Sequence, residues 1–189
     1  MAINENDAPA LISATGQPAP AALAAALAAA GQLLHARPGQ LLLSAGTRSD
    51  DVYLVRSGTI RVTLYSGDGR EVIIRDQGRG NFFGELAAVD GGRRSTSIVA
   101  VAQSQLLVVP AAQFRSMIAA TPESALWFAA HLVERVRSLT ERVFELSTLN
   151  VRSRLHSQLL RLCADAGVND NHAVLDPAPT HDVLATMIG

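Results

Sequence analysis

Phe82-Phe83-Gly84-Glu85-Leu86-Ala87-Ala88, followed by Arg94-Ser95-Thr96, is the stretch on which the reading of this chain turns. It sets a glutamate and an arginine nine residues apart around a short turn of helix. Gly84 has no Cβ, so the backbone there can come close to a ligand. Free N–H groups at the start of a helical turn, with a guanidinium beside them, suit a singly charged phosphate. A carboxylate next to those N–H groups can accept from a sugar hydroxyl. Either half alone is weak; the pair at this spacing is specific. The bland alternative is a surface ion pair between Glu85 and Arg94 on neighbouring loops, worth well under about 1 kcal/mol.

Around this stretch the chain reads as short β-strands. From Gly39 to about Val109 it runs through Leu41-Leu42-Leu43, Val52 to Val55, Ile60 to Leu64, Val72 to Ile74, Ser97 to Val101 and Leu106 to Val109. Turn signals separate these runs: Pro38-Gly39, Ala45-Gly46, Ser57-Gly58, Gly67-Asp68-Gly69, Gly78 and Gly80. Short strands at such spacing predict a β-roll or jelly roll, and Gly67-Asp68-Gly69 predicts a hairpin. Asp90-Gly91-Gly92 reads as the turn that leads to Arg94, Asp50-Asp51 as a solvated loop pair, and Arg93 as a solvated side chain. Arg75, Asp76 and Gln77 put polar residues just before Gly78, either lining a pocket or facing water.

Helices flank the roll. Residues 1–18 read as a loose polar arm, and Ala21 to Ala30 as a helix with Pro20 near its start and Gly31 at its stop. After Pro110 a short helix covers Ala111 to Ala120, and Thr121-Pro122-Glu123 caps and restarts a long one. Ala129, Leu132, Val136, Leu139, Val143, Leu146 and Asn150 then alternate steps of three and four, a narrow a/d seam. This predicts a dimer seam through Leu132, Val136, Leu139, Val143 and Leu146; the alternative is a single helix lying on its own domain. Arg152 to Ala164 forms another amphipathic helix. Thr180-His181-Asp182-Val183-Leu184 has the cap and early acid of a new one. So short an apolar helix cannot stand alone, and further chain after Gly189 is expected. The domains expected are therefore an arm at 1–18, a roll with flanking helices at 19–120, a long helix at 121–150 and a further unit starting at 151–189.

Composition excludes several classes. The chain has 189 residues, 48% hydrophobic and 17% charged, which describes a globular protein. Its net charge of -1 gives no global sign of nucleic-acid binding, although a basic face can hide in a neutral total. All 16 basic residues are arginine. A single cysteine, Cys163, rules out an internal disulfide or a multi-cysteine metal site and reads as a buried thiol. No apolar run approaches a membrane span and no leader is evident, so a cytoplasmic address without membrane partners is expected. The five histidines (35, 131, 156, 172 and 181) lie outside the strands. That disfavours a metal enzyme on a cupin-like roll and a haem sensor alike. His131 and His156 read as partly exposed helix residues. No paired-carboxylate or nucleophile–base arrangement appears, so neither an enzyme nor a metal site is expected.

Taken in order, Gly39-Gln40-Leu41-Leu42-Leu43, Tyr53-Leu54-Val55-Arg56-Ser57-Gly58, the Phe82 to Leu86 stretch and the seamed helix resemble the cyclic-AMP receptor / fumarate-nitrate regulator superfamily of bacterial transcription factors. The resemblance runs from about Leu33 to Gly189. It implies an α+β fold: a cyclic-nucleotide-binding β-roll, a long dimerisation helix, and the first helix and turn of a winged helix-turn-helix at Thr180 to Gly189. The recognition helix of that unit should follow Gly189. The resemblance also implies an allosteric homodimer that binds DNA and controls transcription, with RNA polymerase as a further partner and cyclic AMP, or else cyclic GMP, as effector.

Residue by residue, the resemblance gives Glu85 the ribose hydroxyl and Arg94 the cyclic phosphate. Ser95 and then Thr96 help hold the phosphate, and the N–H groups of Gly84, Glu85 and Leu86 complete the cradle. Arg135 matches a residue that in some relatives points back into the pocket. Relatives that bind cyclic AMP carry a hydroxyl on the long helix to meet the adenine amino group. Leu139 stands at that position here, with Thr140 beside it as the nearby hydroxyl. Two other readings stay open: a regulator whose pocket takes another effector or none, and a nucleotide-binding regulatory module of an enzyme.

Overall fold

The computed structural model describes residues 11–14 and 16–189. Helix α1 (Ala21–Ala30) leads into strands β1 (Gln32–Ala36), β2 (Leu41–Leu43), β3 (Val52–Ser57), β4 (Ile60–Tyr65), β5 (Glu71–Gln77) and β6 (Phe82–Phe83). Helix α2 (Glu85–Asp90), strands β7 (Ser97–Ala100) and β8 (Ser104–Val109), and helices α3 (Ala111–Ala119), α4 (Pro122–Thr148), α5 (Val151–Ala166) and α6 (His181–Ile188) complete the chain. The strands form two antiparallel four-stranded sheets, ordered β1-β8-β3-β6 and β2-β7-β4-β5. The fold is the expected α+β roll with a long helix.

Alternation along the strands makes two cores. Successive side chains of a strand point to opposite faces, and the first sheet is covered on both. Val52 and Leu54 of β3, Leu107 and Val109 of β8, and Phe82 of β6 pack with Leu23, Leu27, Phe114, Trp127 and Phe128 of the helices. Val55, Leu106 and Phe83 face inward, where Leu43, Ile60, Val62, Ile98 and Ala100 of the second sheet meet them. The adjacent phenylalanines of β6 thus anchor one short strand in both cores, and Phe83 stacks on Tyr53 at 5.0 Å. Losing one such ring would cost about 3–5 kcal/mol. That double anchor fixes the position of Gly84 and Glu85, which follow immediately.

Several expectations change. Residues 1–10 and Thr15 lie outside the described residues, but 11–14 and 16–18 do not form a loose arm. Leu11 and Ser13 are buried. Ile12 N–H bonds the Gly80 carbonyl at 2.9 Å, and the Trp127 indole N–H bonds the Gln17 carbonyl at 3.1 Å. Asn150 is not on the seam, because α4 stops at Thr148 and Asn150 caps α5 by accepting from Ser153 N–H at 3.0 Å. Leu132 packs on the helix-side core, whereas Val136, Leu139, Val143 and Leu146 stay exposed in the single chain, with Phe144 beside them. Cys163 is half-buried. Strand β1 begins before the predicted strand region.

At the C-terminal end, Thr180 caps α6 by accepting from Val183 N–H at 3.3 Å. Helix α6 packs on α5 and β5 with Met187 and Ile188 buried. Arg142 of α4 donates to the Met187 carbonyl, and Arg154 of α5 to the Ile188 carbonyl at 3.0 Å. Among the described residues no helix is long and apolar enough to cross a membrane.

Candidate functional site

Gly84 opens α2 at φ 89°, a left-handed conformation that favours glycine. A Cβ there would lie 2.6 Å from Arg94 Nη1 and 2.7 Å from the Asp51 carbonyl oxygen. The glycine therefore lets the arginine sit flat against the backbone. Arg94 is buried, 4% exposed. Its Nε donates to Ser49 Oγ at 2.8 Å, Nη1 to the Gly84 carbonyl at 2.9 Å and Nη2 to the Asp51 carbonyl at 2.8 Å. A guanidinium has five N–H donors, so three fix its plane and two remain for an anion. Burial lowers its pKa, yet a guanidinium keeps its charge at any ordinary pH.

Glu85, the first residue of α2, is 2% exposed and pairs with Arg135 of α4. The surface-pair reading fails on both counts: Glu85 and Arg94 are buried, and the partner of Glu85 is Arg135. A narrow cleft joins them. Gly84, Glu85, Leu86, Arg94, Ser95, Thr96 and Arg135 all line it. Seven of the eight expected ligand residues thus share one cavity. Thr140 does not join them; its hydroxyl donates to the Val136 carbonyl at 2.9 Å and it lines a separate groove with Phe144 and Leu149.

The floor of the cleft is one cross-strand row. Leu43 of β2 pairs with Ile98 of β7, Ile98 with Val62 of β4, and Val62 with Arg75 of β5. All four residues line the cavity. The sequence reading left Arg75, Asp76 and Gln77 undecided; all three line a second cavity beside Glu134 and Arg135, and of the three only Arg75 also lines the cleft. Arg75 enters the cleft, Asp76 pairs with Arg61 at 2.7 Å, and Gln77 is buried. The alternation Ile73, Arg75, Gln77 along a strand was the available signal. Three guanidiniums (Arg75, Arg94 and Arg135) face the cleft against one carboxylate, Glu85, so the site suits an anion with hydroxyl donors. Arg93 stays at the surface and donates to the Gly46 carbonyl at 2.7 Å.

His131 corrects another expectation, since it is 4% exposed and lies among Phe82, Trp127 and Phe128. Its Nδ1 accepts from Ala14 N–H at 2.9 Å. Burial, reinforced by the charges of Arg135 and Arg75, lowers its pKa to about 4 and keeps the ring neutral.

Residues 33–121 match the family model described as cyclic nucleotide-binding domain. The cAMP-activated global transcriptional regulator CRP of Haemophilus influenzae is 29% identical over 158 residues, which cover 82% of this chain and 70% of that protein. The CRP-like cAMP-activated global transcriptional regulator of Mycobacterium tuberculosis is 28% identical over 155 residues, 80% of this chain and 68% of that protein. Among solved structures, the catabolite activator protein of Thermus thermophilus superposes with a TM-score of 0.62 at 30% identity, over 79% of this chain and 70% of that one. The c-di-GMP-responsive global regulator CLP of Xanthomonas campestris shares the fold, with a TM-score of 0.75 at 18% identity over 89% and 84% of the two chains. Matches to transcription regulators over this length, together with the cleft built on Glu85 and Arg94, lead to one conclusion: the chain belongs to the cyclic-AMP receptor / fumarate-nitrate regulator family of cyclic-nucleotide-binding transcription regulators.

Proposed function

We propose that this chain is the effector-sensing part of a homodimeric, DNA-binding transcription regulator. Its effector is a purine 3′,5′-cyclic nucleotide, and the cAMP-activated relatives make cyclic AMP the first candidate. One observation carries the reading: a buried guanidinium held in plane by three protein acceptors, with two donors left over, opposite a buried carboxylate in the same cleft. In this reading the cyclic phosphate takes the free Arg94 donors and the hydroxyls of Ser95 and Thr96, and Glu85 accepts from the ribose 2′-hydroxyl.

Helix α4 carries both the cleft residue Arg135 and the exposed apolar strip Val136, Leu139, Val143 and Leu146. The strip is the proposed dimer seam. Ligand competes for Glu85 with Arg135, so occupancy biases how α4 sits on the roll and hence how two copies pair. DNA contact belongs to the unit that α5 and α6 begin. Such coupling requires different ligand affinities in the two arrangements.

Calorimetric titration with cyclic AMP and cyclic GMP, beside Arg94→Ala, tests the reading. Saturable binding that weakens at least about tenfold in the variant is expected, the loss of a charge-assisted pair. No heat with either nucleotide, or equal binding by the variant, refutes it.

A further inference from the structure

We propose that the second cavity, the one into which Gln77 of β5 and His131 of α4 are buried, binds a small uncharged polyol. Nothing in this depends on the cyclic-nucleotide reading.

Four separate parts of the chain build the cavity. Ile12 to Ala14 with Gly16, the end of β5, the middle of α4, and Asp165 near the end of α5 all line it. Its volume is about 570 Å³, within the range of small-molecule sites. Only Arg75 and Arg135 are common to this cavity and the nucleotide cleft.

Two buried side chains that line it end in polar atoms with nothing to bond. Gln77 is 7% exposed, and its Oε1 has no hydrogen-bond partner among the described residues. His131 is as deeply buried, and its Nε2 has none either. The state of that nitrogen follows from the other one. Nδ1 accepts from Ala14 N–H, so the neutral ring carries its proton on Nε2. The cavity therefore holds one orphan donor and one orphan acceptor, both costly to bury unpaired. A hydroxyl group answers both, since it accepts and donates at a single oxygen. A water molecule occupies only about 30 Å³, so the space is many times what bridging these two atoms requires.

Charge decides against an ion. Arg75 and Arg135 line the cavity together with Glu134 and Asp165, while Asp76 is held by Arg61 at 2.7 Å. Glu85 acts on both of those guanidiniums from the side of the cleft. An anion would meet carboxylates here and a cation would meet guanidiniums, each after losing water. Hydroxyls can accept from the arginines and donate to the acids without bringing a charge of their own. Several hydroxyls on a compact carbon frame meet both demands.

Trp127, the one tryptophan of the chain, stacks on the His131 ring with centroids 6.3 Å apart and so reports on the cavity. Its fluorescence in the whole chain should be titrated with myo-inositol and glucose, and with serine and lactate as a zwitterion and an anion. A saturable change with at least one of the two polyols, and a weaker response to serine and lactate, is expected. Gln77→Met removes the orphan acceptor and should weaken the polyol at least about threefold. Ser138→Phe puts a ring into the cavity from an exposed position and should abolish the response. That second variant starts from the surface, so it reports even where a change at buried Gln77 impairs folding. No saturable change with either polyol overturns the proposal, and water then meets the two atoms. Tighter binding of serine or lactate, or unaltered binding by Ser138→Phe, overturns it too. So does strict competition by cyclic AMP, which would make the cavity an extension of the nucleotide cleft. The polyol titration is read without nucleotide, so its result is separate from that of the Arg94 site.

Discussion

Acid should weaken this protein in part through one imidazole. His131 is neutral in the folded chain with a pKa near 4, against an ordinary 6.5, because burial and the charges of Arg135 and Arg75 oppose its protonation. Above pH 6.5 the ring is neutral in folded and unfolded chains alike, so it contributes no pH dependence. As pH falls below 6.5 the unfolded chain takes up the proton first, and stability drops until about pH 4, where the folded ring titrates too. Proton linkage makes this loss about 2 kcal/mol between pH 7 and pH 5. At 2–4 °C per kcal/mol for a chain of this size, the Tm should fall by about 4–8 °C from this group alone. Other groups titrate in the same window, so the informative quantity is the difference from His131→Asn. Asparagine keeps an acceptor near the Nδ1 position that holds Ala14 N–H, and it does not titrate. Urea or thermal unfolding at pH 7, 6 and 5 should give a variant that is less stable at pH 7 but flatter with pH. Parallel pH profiles for the two proteins would show the linkage argument to be wrong.

Two further outcomes follow from the same cleft and helix. Arg135→Met should cost about 3–5 kcal/mol in urea unfolding, because it leaves the Glu85 carboxylate buried without its partner; adding Glu85→Gln should recover most of that, and a single variant costing under about 1 kcal/mol contradicts it. Val136→Glu with Val143→Glu places two charges on positions that are each 63% exposed in the single chain, so sedimentation should give a monomer with an unchanged far-ultraviolet spectrum. A persistent dimer would move the interface elsewhere.

What could be read without coordinates was what short-range chemistry decides. The demand for glycine at position 84, the acid after it and the arginine nine residues on are local, and seven of the eight expected ligand residues meet in one cleft. The strand runs were legible because β-branched residues and turn residues alternate so clearly. Arg75 was only half legible: alternation with Ile73 and Gln77 gave its face, but its place in the cleft depends on cross-strand register with Val62 and Ile98, which is settled by pairing far along the chain. His131 was misjudged for a similar reason. A histidine on a long helix looks like a solvent face until the segment Leu11 to Ala14 folds over it. That segment is only four residues long and sits in a polar stretch, so its two aliphatic side chains did not announce docking. Asn150 fitted the heptad arithmetic but serves as a cap, since the α4–α5 break falls between positions that the period alone treats as continuous.

Arg135 stands close to the midpoint of α4, thirteen residues before Thr148 and as many after Pro122. At 1.5 Å per residue that leaves an arm of about 20 Å beyond it. The half of α4 before Arg135 is clamped by Trp127 and Phe128 in the core, whereas the half after it exposes most of its length. A bearing at the centre of a rod with one end clamped works as a lever. A tilt of only about 5° about Arg135 swings Thr148 by about 1.7 Å, and Arg142 and Arg154 transmit that swing to α6 through their bonds to its last carbonyls. In the proposed reading, an event at a single carboxylate, Glu85, would thereby be converted into displacement of α6 where it packs on β5.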